Sequence, residues 1–99
     1  MTEGNGPSYS VSMSQQTRSL LKKLHLEAVQ LGIGAQFLAA FRQILSQLQQ
    51  NPCEFGEPLY SLAALKLQVR KGVIAPLVVT YGIHDEKPLV FIQGFKSLT

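Results

Sequence analysis

One cysteine, Cys53, stands in the chain, so no internal disulfide can form. Lack of disulfides points to a reducing cytoplasm as the expected location. No apolar run approaches the roughly 18 residues of a membrane-spanning helix. Met1 to Ser8 has neither a cationic n-region nor an apolar h-region, so no secretory signal is expected. Charge is scarce too. Asp, Glu, Lys and Arg make up 15% of the 99 residues, against a usual share of about a quarter. The remaining polar surface is rich in Gln and Ser, which fits a surface partly hidden in a homodimer or a partner complex. The net charge of +3 is modest. It suggests nucleic-acid contact only where lysines and arginines gather on one face.

Several chemistries are missing with these residues. His25, His84 and Cys53 are scattered, without the paired spacings of a zinc site, so no metal or other cofactor is expected. Cys53 has no activating histidine at a recognisable spacing. Gly32-Ile33-Gly34 follows a helical pattern and not a strand, so it is neither a Walker loop nor a dinucleotide fingerprint. Asp85-Glu86 reads as a solvated acidic pair in a turn. Tyr81 reads as core.

What is present is a core. Hydrophobic residues reach 45%, enough for one domain over residues 9–99 behind a flexible tail over residues 1–8. Tyr9 to Ser14 alternates, predicting a strand with Tyr9, Val11 and Met13 inward. Ser14 is the expected N-cap of an amphipathic helix from Gln15 to Leu31, with Leu20, Leu24, Ala28 and Leu31 as its stripe and Leu21 widening it. Gly32 and Gly34 end it. A second helix is expected from Ala35 to about Gln49 on Phe37, Phe41, Ile44 and Leu48, stopped by Pro52. The short connection makes the two helices antiparallel neighbours. Asn51 to Pro58 reads as a loop. Three strands then follow: Leu62 to Arg70, Pro76 to Ile83 and Leu89 to Phe95. The turns between them are Arg70-Lys71-Gly72 and His84 to Lys87. The expected class is α+β: a strand, a helical hairpin and a three-strand antiparallel meander, packed as a two-layer sandwich.

The chemistry that remains is basic. Lys66, Gln68 and Arg70 recur at every second residue, which puts them on one face of the predicted strand. Lys71 extends the row into the turn, and Lys96 is expected near the same surface. Such a row can hold successive phosphates, with charge setting the affinity. The alternative is an ordinary solvated face of a half-covered sheet, with Leu65, Leu67 and Val69 pointing the other way.

The ordered set Leu45-xx-Leu48, Asn51-Pro52, Phe55-Gly56-Glu57-Pro58-Leu59, Lys66 to Gly72, Pro76 to Tyr81 and Pro88 to Ile92 resembles the RelE/ParE toxin superfamily. The resemblance spans about Tyr9 to Leu98. It implies a bacterial toxin of a toxin–antitoxin module, with an antitoxin-like protein as partner. In RelE-like members, ribosome-dependent mRNA cleavage uses basic residues on the meander strands and a late basic residue, often with a tyrosine. Lys66 and Arg70 match the second-strand positions, and Lys96 stands for the late one. Gln68 falls where another lysine would serve, and Ala75-Pro76-Leu77 offers no arginine. The catalytic set implied is therefore Lys66, Arg70 and Lys96, and it is incomplete. Two other readings stay open: a ParE-like inhibitor of gyrase, and a toxin fold that has lost activity and serves as an interaction module.

Overall fold

The structure, a computed structural model, describes residues 8–98. The tail expected over Met1 to Ser8 lies outside these residues except for Ser8, which is exposed. Nine elements follow in order: β1 (Ser10–Met13), α1 (Gln15–Gln30), α2 (Gly34–Gln50), α3 (Pro52–Phe55), β2 (Glu57–Leu62), a 3-10 turn (Ala63–Leu65), β3 (Leu67–Ile74), β4 (Leu77–His84) and β5 (Leu89–Ser97).

The helical pair forms for local reasons. Ser14 caps α1, its hydroxyl accepting from the Thr17 amide at 3.1 Å. That satisfies one of the donors a helix start leaves unpaired. Gly32 ends α1 at φ +80, where a side chain would be strained. The inward stripe of α1 is Thr17, Leu21, Leu24 and Ala28. Leu20 and Leu31, expected inside, are 37% and 62% exposed. The stripe is turned because Thr17, held by the cap, takes the first inward place. In α2 the inward residues are Phe37, Ala40, Ile44 and Leu48, all nearly solvent-free.

One five-stranded sheet receives these helices, in the order β1-β5-β4-β3-β2. β1 pairs with β5 in parallel, and the other neighbours are antiparallel. The core joins Phe37, Ile44 and Leu48 to Leu77, Val79, Tyr81 and Ile83 of β4 and to Val90, Ile92 and Phe95 of β5. Burying one such side chain contributes roughly 1.5–3 kcal/mol. Phe41 meets Phe95 edge-on, with centroids 6.0 Å apart. No helix among the described residues is long and apolar enough to cross a membrane.

The leading strand, the hairpin and the α+β class stand as expected, and the meander gains a strand. α3 and the first two residues of β2 occupy the stretch Asn51 to Pro58 expected to be loop, and of the expected strand Leu62 to Arg70, Leu62 ends β2 while Ala63–Leu65 form the 3-10 turn. Lys66 sits beyond that turn in a left-handed conformation, φ 54, and β3 starts only at Leu67. The expected turn Arg70-Lys71-Gly72 is continuous strand, paired to Tyr81, Thr80 and Val79. The chain turns at Ala75-Pro76 instead, where Pro76 follows a cis peptide bond.

Candidate nucleic-acid interface

Residues opposite one another in an antiparallel ladder project to the same face. The helix-facing side of β4 carries Leu77, Val79, Tyr81 and Ile83. Their partners on β3 are Ile74, Gly72, Arg70 and Gln68. Arg70 and Gln68 therefore point to the helical side. The other face, free of helices, carries Leu67, Val69, Lys71 and Val73 on β3. It continues through Val78, Thr80, Gly82 and His84 on β4 to Phe91, Gly94 and Lys96 on β5.

A groove of about 330 Å³ lies on this open face, lined by Leu59, Lys71, Val78, Thr80, Gly94, Phe95 and Lys96. Two rungs of the ladder build it: Lys71, Thr80 and Gly94 in one, Val78 and Lys96 in the other. Two strand spacings of about 4.8 Å and two residues at about 3.4 Å put the lysine Cα atoms roughly 12 Å apart. Their flexible stems can converge from opposite walls. Both lysines are exposed, and no ion pair engages either among the described residues. Glu57 is the cross-strand partner of Lys71 and lies with it along a second hollow, with Phe55, Gly72 and Val73. The floor between the lysines is largely apolar and small: Val78 is 6% exposed, and a Cβ added at Gly94 would meet nothing within 4 Å. Leu59, at the register shift of β2, forms a wall and is 49% exposed.

The expected basic row is therefore broken. Lys66 is outside the strand, and its ammonium holds the Glu86 carboxylate at 3.1 Å and 3.2 Å on the surface. An exposed pair of this kind contributes about 0–1 kcal/mol. Arg70 lies half-buried on the opposite face, donating to the Gly56 carbonyl and to Gln68 Oε1. Its Nε is buried without a partner among the described residues. Gln68 serves that contact rather than the open face. Of the residues expected together, the structure brings Lys71 and Lys96 to one groove and sends Lys66, Gln68 and Arg70 elsewhere. Thr80, Leu59 and Gly94 were not singled out from sequence. Thr80 carried a signal, as the one polar residue amid Leu77-Val78-Val79 and Tyr81.

Arg70 belongs to a clip that sets where β2 runs. Tyr81, fully buried, donates its hydroxyl hydrogen to the Pro52 carbonyl at 2.7 Å and accepts from the Gly56 amide at 2.9 Å. Its ring stacks on Phe55, with centroids 6.1 Å apart and planes 18° apart. Gly72 is required below, because a Cβ there would run into the Phe55 ring. The short α3 segment is thereby tied to β3 and β4, and β2 leaves it to place Leu59 at the groove. Burial pushes the Tyr81 phenol above its ordinary range, while the Gly56 hydrogen bond and the Arg70 guanidinium pull it partly back. The Tyr9 phenol is raised as well, first by its contact with the Cys53 thiol at 3.9 Å.

The groove can bind anions and neutralise charge at a phosphate. Its lining holds no carboxylate, imidazole or phenol that could move a proton. No group of three or more His, Cys, Asp or Glu that could hold a metal is found among the described residues.

No protein-family model matches the chain, and no curated protein matches it significantly. Among solved structures, it is similar to a chain of the toxin–antitoxin complex RelBE2 from Mycobacterium tuberculosis. The TM-score is 0.67 at 20% identity, covering 96% of this chain and 97% of that one. The two chains share one α+β fold over nearly their whole lengths.

Proposed function

We propose that this chain is the toxin of a toxin–antitoxin pair and acts on translation in the cytoplasm. Its open-face groove grips the backbone of ribosome-associated mRNA. The observation that carries this reading is the meeting of Lys71 and Lys96, exposed and free of ion pairs among the described residues, across one apolar groove. Two cations on opposite walls suit a strand threaded between them, since phosphate contacts supply affinity and position. Lysine charge can also stabilise a phosphate as negative charge builds on it. The RelBE2 likeness supports the toxin reading and, with it, a small antitoxin-like partner.

A second reading is favoured by the absence of a carboxylate, imidazole or phenol from the described lining of the groove: the protein binds RNA without cutting it. One experiment separates the two. The chain and its Lys71→Ala/Lys96→Ala variant are induced in cells, and mRNA ends on ribosomes are mapped. Growth arrest with new ends, both lost in the variant, supports the nuclease reading. RNA bound in pull-down without new ends supports the binding reading. If the variant arrests growth and holds RNA as well as the parent does, the groove is not the site and both readings fall.

A further inference from the structure

Of the aromatic side chains among the described residues, Tyr60 and Phe91 are the two that stand exposed, at 53% and 37%. The ladder puts both on the open face, in one rung. Phe91 on β5 pairs with Gly82 on β4, Gly82 with Val69 on β3, and Val69 with Tyr60 on the edge strand β2. Three strand spacings of about 4.8 Å set the two Cα atoms roughly 14 Å apart. The positions between them are low. Gly82 has no side chain, Val69 is 0% exposed, and Leu67 of the next rung lies over Gly82. The rung is thus a shelf with an aromatic ring at each end. The rung of Lys71 and Thr80 in the groove is two residues further along β3 and β4, about 7 Å away. A single exposed apolar residue is ordinary on a protein surface. Two aromatic rings in one rung, next to a pair of exposed lysines, form a pattern.

We propose that this shelf stacks unpaired bases of a single-stranded RNA whose phosphates lie at Lys71 and Lys96. The proposal rests on the reading of the groove as an RNA site and names the form of RNA it takes. A single strand offers an accessible aromatic face and a negative charge at every nucleotide, and the open face answers both within one step of the ladder. A duplex hides its base faces in its own stack, so it can use the lysines alone. A second copy of this chain docking by the same face would use the rings, but it would bring the lysines of both copies into one interface, where like charges repel. Every base has a face that stacks, so the shelf selects unpaired over paired RNA and not one sequence over another.

The test uses the full chain and three labelled probes followed by fluorescence anisotropy. The probes are a single-stranded RNA, the same RNA annealed to its complement, and an abasic sugar–phosphate strand of equal length. Tyr60→Leu/Phe91→Leu keeps apolar bulk and removes both rings. It is expected to weaken the single strand by about tenfold or more and to leave the duplex and the abasic strand unchanged. The slope of log affinity against log salt should also stay, because no charge is removed. Tyr60→Leu alone, on the exposed edge strand, should give part of the loss and reads the shelf if urea shows the double variant to be unstable. Lys71→Ala/Lys96→Ala should weaken all three probes. Loss in the lysine variant with none in either Leu variant overturns the shelf and leaves the groove standing. Loss in the Leu variants with none in the lysine variant supports the shelf and overturns the groove. No loss in any variant, or no RNA bound by the parent, overturns both. The shelf also falls if the abasic strand weakens as much as the RNA does. Self-association in sedimentation that the Leu variants abolish while RNA affinity holds overturns it in favour of a contact between copies.

Discussion

Tyr81→Phe tests the clip that positions the groove wall. The substitution keeps the ring, and with it the stacking on Phe55 and the burial in the core. It removes one hydroxyl, which bonds the Pro52 carbonyl at 2.7 Å and the Gly56 amide at 2.9 Å. Both residues are buried, so water does not readily replace the lost partner. A buried group left unsatisfied costs about 1–3 kcal/mol. Two such groups, partly relaxed, give an expected loss of about 2–4 kcal/mol, a large share of the roughly 5–15 kcal/mol that holds a domain together. Urea unfolding followed by circular dichroism measures it.

Alkaline pH gives a second readout of the same phenol. Burial raises its folded-state pKa, while the unfolded chain ionises at the ordinary value, about 10. The neutral phenol's contribution is therefore fully present below that value. It is lost as pH rises from there through the folded-state value. The stability gap between parent and variant should stay constant up to about pH 9 and narrow above about pH 10. Subtracting the variant cancels the parallel contribution of Tyr9. The reasoning is refuted by a gap below about 0.5 kcal/mol at neutral pH, where a buried double orphan should cost far more. A gap that widens on the alkaline side refutes it equally.

Four further variants test the same geometry. Lys71→Ala/Lys96→Ala should flatten the dependence of log affinity for single-stranded RNA on log salt by about 0.7 for each phosphate contact removed; an unchanged slope would exclude both lysines from the interface. Gly94→Val should leave thermal unfolding nearly unaltered, since its Cβ meets nothing within 4 Å. The same change should lower RNA affinity roughly tenfold, about 1.4 kcal/mol, by filling the groove. Gly72→Ala should destabilise by about 1–3 kcal/mol because the Phe55 ring must move, as read by urea midpoint. Ser14→Ala should cost about 1 kcal/mol through the lost cap, seen as faster amide exchange in the first turn of α1.

Elements with a buried face were legible in the sequence. The alternation of Tyr9, Val11 and Met13, the α2 stripe and the Ser14 cap all reflect one side facing the core, and each lies where its pattern put it. β2 had no such pattern. It is an edge strand, exposed from Glu57 to Ser61, and it contains Pro58. Proline and full exposure are how edge strands avoid further pairing, and they are also the marks of a loop. Gly72 misled for a related reason. A glycine after two basic residues reads as a turn, yet here it makes room for Phe55, a residue 17 positions earlier that sequence spacing does not connect to it.

The site was harder to read because alternation sorts residues into two sets without saying which set faces the helices. Leu67 and Val69 are apolar and buried, as residues facing the helices would be. They are on the open face, where Leu62 and Tyr60 of β2 are their cross-strand partners. Leu67 also covers Gly82, whose Cβ would sit 3.4 Å from it. Once β2 is present, both faces of β3 are partly covered, and hydrophobicity no longer marks the core side. Arg70 could then take the inner face because the α3 segment offers it the Gly56 carbonyl there. Assigning the whole row to solvent followed directly from missing β2. The same error hid the groove, whose Leu59 wall exists only if β2 is a strand. Lys71, expected as the end of a row, is instead the member of β3 that reaches the open face next to Thr80. A single edge strand thus decides which cations face a ligand, and the Tyr81 clip that starts it is the part of the helical side on which the groove depends.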